Sequence, residues 1–275
     1  MASTAQDRNS PDKRSGLAIV TGASSGIGAE FARQLAARQL DVLLVARRAE
    51  RLESLAAELK AAHGIEAHVL PLDLAKPAAS EKIAKAALDL GKPVKWVINN
   101  AGYGLLGTFE SQSLQEQRDL TQVLVNAPIE LSHLMIPALK RAAPSHIVNI
   151  ASLAAFMPGT PGSGLYAGHK ATVVKFSEML AAELRPDGVS VTASCPGVTV
   201  SEIFDRHEPY HDVSKLKAQK AMPTDVVVRQ AIEAADRGQI SIVHGLKNKL
   251  VGMMFRHLPL SAGRKMVNGL ASSVE

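Results

Sequence analysis

The sequence predicts an α/β domain, doubly wound about a seven-stranded parallel sheet and followed by a short C-terminal helical extension. Three observations predict it. Seven short, continuous apolar runs recur along the 275 residues: GLAIVTG, DVLLVAR, AHVLPLD, KWVINNAG, HIVNIAS, VSVTASCPG and ISIVHG. Longer stretches rich in Ala, Leu, Glu and Lys, with helical spacing, separate them. No internal repeat, low-complexity run or Pro/Gly linker divides the chain. Short apolar strands alternating with helices are the pattern of a parallel sheet covered on both faces.

Composition sets the limits. Hydrophobic residues make up 46% and charged residues 21% of the chain, ordinary globular usage, but aromatics are only 4%; the core must therefore be built from Ala, Val, Leu and Ile. The net charge of +5 is mild, and no basic-and-aromatic reading surface accompanies it, so nucleic acid is not an expected partner. A single cysteine, Cys195, makes neither an internal disulfide nor a metal cage. With no metal expected, a reducing, cytoplasmic setting is the default. The first residues, MASTAQDRNSPDKRS, are polar and lack the apolar segment of a secretory signal, so residues 1–15 are expected to be a disordered tail. Residues 16–245 are expected to form the catalytic domain, and 246–275 an amphipathic helical extension. No apolar run is long enough to span a bilayer; LVGMMF, near the C-terminus, is far too short.

Taken in chain order, the elements acquire chemistry at the strand ends. The first strand runs into VTGASSGIG, with Gly22, Gly26 and Gly28 between strand and helix. Free backbone N–H groups and the positive end of a helix dipole suit a pyrophosphate there, and glycine lets it approach the backbone. Ser24, Ser25 and Ile27 complete this candidate cradle. An ordinary glycine-rich turn would also contain three glycines, and the spacing G-x-x-x-G-x-G is not the commoner G-x-G-x-x-G. The second strand ends at Val45-Ala46 with no acidic residue to meet a ribose 2′-hydroxyl; Arg47 and Arg48 follow instead. A guanidinium fork suits a 2′-phosphate, and cations are otherwise disfavoured at a helix start, so NADP(H) is the expected cofactor. The helix ERLESLAAELKAAHG comes next, with Leu52, Leu55, Ala56 and Leu59 on one face and Gly64 as its stop. Asp73 and Leu74 close the third strand, where Asp73 could accept from an adenine amino group. Asn99, Asn100, Ala101 and Gly102 close the fourth. Singly these are common turn residues; jointly they line the carboxyl edge where open α/β sheets bind ligands.

The fifth strand ends at Ser152, and the helix after it begins YAGHK. Tyr166 and Lys170, four residues apart, share a face. Tyrosine has a pKa near 10, and lowering it by about three pH units needs about 4 kcal/mol. One cation at about 5 Å supplies roughly 3 kcal/mol at an effective dielectric near 20. Lys170 together with an oxidised nicotinamide would suffice, while Ser152 could donate to a carbonyl oxygen. A helix with an interfacial tyrosine and a solvated lysine would show the same five residues. His169 cannot share the face of both partners and is expected to pack or sit at an interface.

The set TGASSGIG, NNAG, Ser152, YAGHK and PGVT resembles the short-chain dehydrogenase/reductase family in its classical form, in order and spacing from about Leu17 to Val243. The resemblance implies a Rossmann fold. It implies Tyr166 as general acid–base, Lys170 holding the nicotinamide ribose and lowering the phenol's pKa, and Ser152 positioning the substrate carbonyl. It also points to Asn126, in TQVLVNAP, as a fourth catalytic residue that kinks its helix and holds a water in a proton relay to the lysine; Pro128 fits such a kink. Pro196, Gly197, Val198 and Thr199 are implied to close on the nicotinamide amide. The implied chemistry is NADPH-dependent reduction of a carbonyl, with Tyr166 giving the proton. The alternatives are an NADP-linked alcohol, steroid or dihydrodiol dehydrogenase running the other way, or a protein that senses NADPH without turnover.

For the substrate, Leu153, Phe156, Met157 and Tyr103 are candidate pocket residues. So is the segment from Ser201 to Met222, a candidate lid containing Phe204, Arg206 and Tyr210. The side chains are mostly apolar and favour a hydrophobic carbonyl or alcohol. A homodimer or homotetramer is implied by the resemblance, through the helices starting near Pro128 and Tyr166, with Leu131, Leu134, Val174 and Met179 expected on their outward faces. From Arg237 to Val274 there is no acidic residue. Within it, NKLVGMMFRHLPLSAGRKMVNGL reads as two short amphipathic helices broken at Pro259, either packed on the domain, or touching an anionic membrane surface, or covering the active site to screen lipophilic substrates.

Overall fold

The structure is a computed structural model that describes residues 16–105, 107–159, 165–199, 221–259 and 261–264. All seven apolar runs are strands: β1 Leu17–Thr21, β2 Asp41–Ala46, β3 Ala67–Pro71, β4 Val94–Asn99, β5 Ser145–Ile150, β6 Val189–Cys195 and β7 Ser241–Val243. They form one parallel sheet in the order β3-β2-β1-β4-β5-β6-β7. The chain winds outward from β1 to β3, crosses back to β4 beside β1, and winds the other way. The crevice between β1 and β4 is therefore the topological switch point, where such sheets take their ligands.

Helices α1 Gly26–Ala37, α2 Ala49–His63 and α7 Thr224–Asp236 cover one face; α3 Ala79–Asp89, α5 Ala127–Arg141 and α6 Tyr166–Leu184 cover the other. Because successive strand side chains point to opposite faces, Ala18 and Val20 of β1 join the first core while Leu17 and Ile19 join the second. Both sets are fully buried, which is why the run reads as continuously apolar rather than alternating. In α2, Leu52, Leu55, Ala56 and Leu59 are buried and Gly64 ends the helix at φ 66°, the left-handed conformation that glycine adopts without strain.

Helix α4, Leu114–Thr121, begins with Ser113 and Glu116 in a reciprocal capping box. It continues through a π-helical turn, Gln122–Asn126, into α5. The expected irregularity at Asn126 thus takes the form of an inserted π turn, a common device beside functional sites. The outward faces expected for assembly need correction: Leu131 and Val174 are both buried in the core, and only Met179 of the four named residues is clearly exposed. Helix α8, Leu246–His257, opens the described part of the C-terminal extension, and residues 261–264 are helical after Pro259. The tail 1–15, the lid residues Phe204, Arg206 and Tyr210, and residues 265–275 lie outside the described residues.

Candidate active site

All strands being parallel, every strand end named above opens at one edge of the sheet. At β1, Gly22 has φ 68° and Gly26 φ 53°, conformations that favour glycine. A Cβ on Gly22 would sit 2.8 Å from the Ala101 Cα, and one on Gly28 would run into the Gly22 carbonyl. The glycines are thus required by the tight turn itself. Asn100 locks that turn: its side-chain amide donates to the carbonyls of Thr21 (2.9 Å) and Gly22 (3.2 Å). Thr21 completes the lock, its hydroxyl accepting from the Asn100 and Ala101 N–H groups and donating to the Ile98 carbonyl. Sequence reasoning passed over Thr21, although it precedes Gly22 in the quoted motif. Asn99, placed at the same edge by its sequence, turns inward instead and bonds Asn149 and Ser132 in the core.

Ser25 stands at the N-terminus of α1 without capping it through its side chain, which leaves the first-turn N–H groups aimed at the crevice. Arg48 reaches across from the end of β2, its guanidinium donating to the hydroxyls of Ser24 (3.0 Å) and Ser25 (2.9 Å). Arg47 is exposed nearby, close enough for its charge to act on Tyr103. A glycine cradle, an open helix N-terminus and a guanidinium held beside them gather donors and positive charge at one place, the chemistry that fits a phosphorylated dinucleotide. Asp73 turns one carboxylate oxygen onto the Ala75 N–H (3.0 Å) and Leu74 is buried behind it.

At the other half of the edge, the Ser152 hydroxyl accepts from the Ala154 N–H at 3.1 Å and shares a hydrogen bond with the Tyr166 phenol. Lys170 is buried; its Nζ donates to the Ile150 carbonyl at 2.6 Å and lies 5.7 Å from the centre of the Tyr166 ring. Burial disfavours the charged form of both groups. It pushes the Lys170 ammonium down to about 8 and the Tyr166 phenol up to about 12, with the Ser152 hydrogen bond pulling the phenol partly back. The expected lowering is assigned to Lys170 together with an oxidised nicotinamide; in the protein by itself, burial sets the direction for the phenol.

The structure brings Ser152, Tyr166 and Lys170 together but not the side chain of Asn126, which is exposed and donates to Gln122 at 2.9 Å. His169 is a packing residue, buried and bonded to the Thr121 hydroxyl at 3.0 Å.

Two residues that the sequence did not single out for the site complete its frame. The buried Cys195 takes the Ser152 N–H behind the Ser152 hydroxyl, and burial pushes its thiol up to about 12. Asn248 of α8 lies so close to Gly197 that a Cβ there would sit 2.5 Å from its amide nitrogen. Pro196 accepts from the Leu153 N–H at 2.8 Å, Val198 from the Met222 N–H at 3.0 Å, and the Thr199 hydroxyl donates to the Gly197 carbonyl. Residues 196–199 are therefore fastened to both the Ser152 side and the chain returning at Met222.

Comparison with known proteins agrees with this geometry. The family profile described as short chain dehydrogenase matches residues 16–210. The ketoacyl reductase HetN of Nostoc sp. is 34% identical over 179 residues, 65% of this chain and 62% of that protein. The match thus spans under two thirds of that relative's length. A short-chain dehydrogenase from Sphingobium yanoikuyae solved with NADPH superimposes with a TM-score of 0.77 at 30% identity, covering 94% of each chain. One from Burkholderia phymatum solved with NAD gives 0.74 at 26% identity over 88% of this chain and 93% of that one. Nicotinamide cofactors of both kinds thus occur on this fold, and the chain belongs to the classical short-chain dehydrogenase/reductase family of oxidoreductases.

Proposed function

We propose that the protein is an NADP(H)-dependent carbonyl reductase acting on a hydrophobic ketone or aldehyde. The observation that carries this reading is the buried Tyr166 phenol hydrogen-bonded to Ser152 beside the buried Lys170. A bound nicotinamide dinucleotide would supply the hydride. Ser152 donates to the substrate oxygen and orients it. Tyr166, which holds its proton through neutral pH because burial raises it, gives that proton to the oxygen as charge develops there. Lys170 would anchor the ribose of that cofactor and, held on the Ile150 carbonyl, keeps its ammonium behind the phenol. With its side chain turned outward, Asn126 would serve a relay through its main chain.

Arg48 on the Ser24 and Ser25 hydroxyls supports NADP(H), since its fork stands where a 2′-phosphate would approach the glycine turn. Leu153, Phe156 and Met157, directly after Ser152, supply an apolar wall. A relative that is a ketoacyl reductase agrees with a carbonyl on an apolar chain. Assembly through α5 and α6 is part of the reading, with exposed Ile129 and Met179 replacing Leu131 and Val174 as candidate contacts. A cytoplasmic setting agrees with the single buried thiol.

The test is nicotinamide absorbance with NADPH and then NADH against aldehydes, cyclic ketones, steroids and β-keto thioesters, with Tyr166→Phe in parallel. Turnover that prefers NADPH and vanishes in the variant is expected. Turnover that survives Tyr166→Phe would remove the phenol from the chemistry.

A further inference from the structure

Helix α8 is amphipathic in an unusual sense: apolar side chains occupy its outward face as well. Leu246, Leu250 and Met253 recur at four and three residues and so form one stripe; they are 75%, 54% and 55% exposed. At 100° per residue, Lys247 flanks this stripe on one side and Lys249 and Arg256 on the other, all exposed. The opposite face fastens the helix to the protein. Phe255 is buried and a Cβ on Gly252 would be 3.3 Å from Leu153 Cδ1; at the border between the two faces the Arg256 guanidinium lies 4.3 Å from the centre of the Phe156 ring. The helix is thus held rigidly, with its apolar stripe turned away from the core.

We infer that this face of α8 docks on an anionic membrane surface, the stripe entering the boundary of the acyl chains while the flanking cations meet lipid phosphates. The charge pattern selects this occupant. A stripe bordered by Lys247, Lys249 and Arg256, in a stretch from Arg237 to Val274 without one acidic residue, is complementary to a negative surface. A second copy of the chain would bring the same cations against each other with no carboxylate on the helix to pair them. Long basic side chains keep their charge in the headgroup layer while their stems cover apolar surface. Because α8 packs on the turn Leu153–Phe156 that follows Ser152, docking would bring the substrate wall close to the lipid. The inference rests on α8 alone and does not depend on the reaction catalysed.

The test is co-sedimentation of the full chain with vesicles of phosphatidylcholine alone and of phosphatidylcholine mixed with phosphatidylglycerol. Binding to the mixed vesicles only, weakening with salt, is expected. Lys247→Gln with Lys249→Gln should weaken it about thirtyfold, taking each lysine near the surface as worth roughly fivefold. Leu246→Ser, Leu250→Ser and Met253→Ser together should abolish it, with melting temperature unchanged because the stripe is exposed. Equal pelleting of the parent with both vesicle types, or undiminished binding by either variant, overturns the inference. So does a parent that ignores vesicles but self-associates in the ultracentrifuge through the stripe, which would make α8 a contact between copies.

Discussion

Replacing Lys170 by methionine separates the electrostatic role of this residue from its contribution to stability. Burial takes the ammonium from its ordinary 10.5 down to about 8. At 1.36 kcal/mol per pH unit, holding the charged form in place costs about 3 kcal/mol at neutral pH. The Ile150 carbonyl, which accepts from Nζ at 2.6 Å, would lose its donor in the variant, a penalty of about 1–3 kcal/mol. The two effects oppose each other, so Lys170→Met should leave stability within about 2 kcal/mol of the parent; for a chain of this size that is a Tm shift of less than about 8 °C. Reduction should nevertheless fall steeply, because the phenol and the ribose lose their cation. The pH dependence supplies a second readout. With the folded pKa lowered, the unfolded chain holds more protons between about 8 and 10.5, so the parent gains stability as pH rises through that window; below 8 the cost is constant. The variant lacks this gain. Thermal scans of both proteins at pH 7.5 and 9.5 would measure it as a Tm difference that shifts in the parent's favour at the higher pH. A variant destabilised by more than about 4 kcal/mol, or parallel pH profiles, would refute the reasoning, since the ammonium would then be net stabilising where it sits.

Four further outcomes are expected. Arg48→Ala removes the guanidinium from Ser24 and Ser25 and should raise KM for NADPH about ten- to a hundredfold, the worth of a charged hydrogen bond, while leaving KM for NADH nearly unchanged; an equal rise for both would place Arg48 outside the 2′-phosphate site. Gly28→Ala puts a methyl group into the Gly22 carbonyl and should abolish NADPH fluorescence enhancement and lower Tm; normal binding would show that the turn can relax. His146 and His244 are both held down to about 4 by burial, so the unfolded chain binds their protons first. Their contribution is complete above about 6.5 and is lost as pH falls, by about 2 kcal/mol each at pH 5; a flat Tm between pH 7 and 5 would contradict it. Asn126→Ala, on an exposed side chain bonded to Gln122, should change kcat by no more than about twofold, and a loss comparable to that of Tyr166→Phe would show that the side chain turns into the site during turnover.

The sequence by itself determined the strands, their parallel arrangement and the edge at which chemistry occurs. The physical cause is burial on both faces: a strand such as Leu17–Thr21 is buried at every position and apolar up to its last residue, and a helix between two such strands is the usual parallel crossover. It also determined that the glycines of the first turn, Ser152 and the Tyr166–Lys170 pair converge, because parallel strands deliver all their ends to one side. Helix orientation was less legible. Leu131 and Val174 proved to be core residues because α5 and α6 pack on the sheet and on neighbouring helices, so apolar spacing alone does not phase their outward faces. Only the tertiary structure decided that Asn126 points to Gln122, that Thr21 and Cys195 hold the turn and the Ser152 backbone, and that α8 turns Leu246, Leu250 and Met253 away from the core. It also set the direction for Tyr166 in the protein without a nicotinamide. A sequence places a cation four residues from a phenol, but how far water is excluded from both is set by everything packed around them, and desolvation is what governs their proton affinities here.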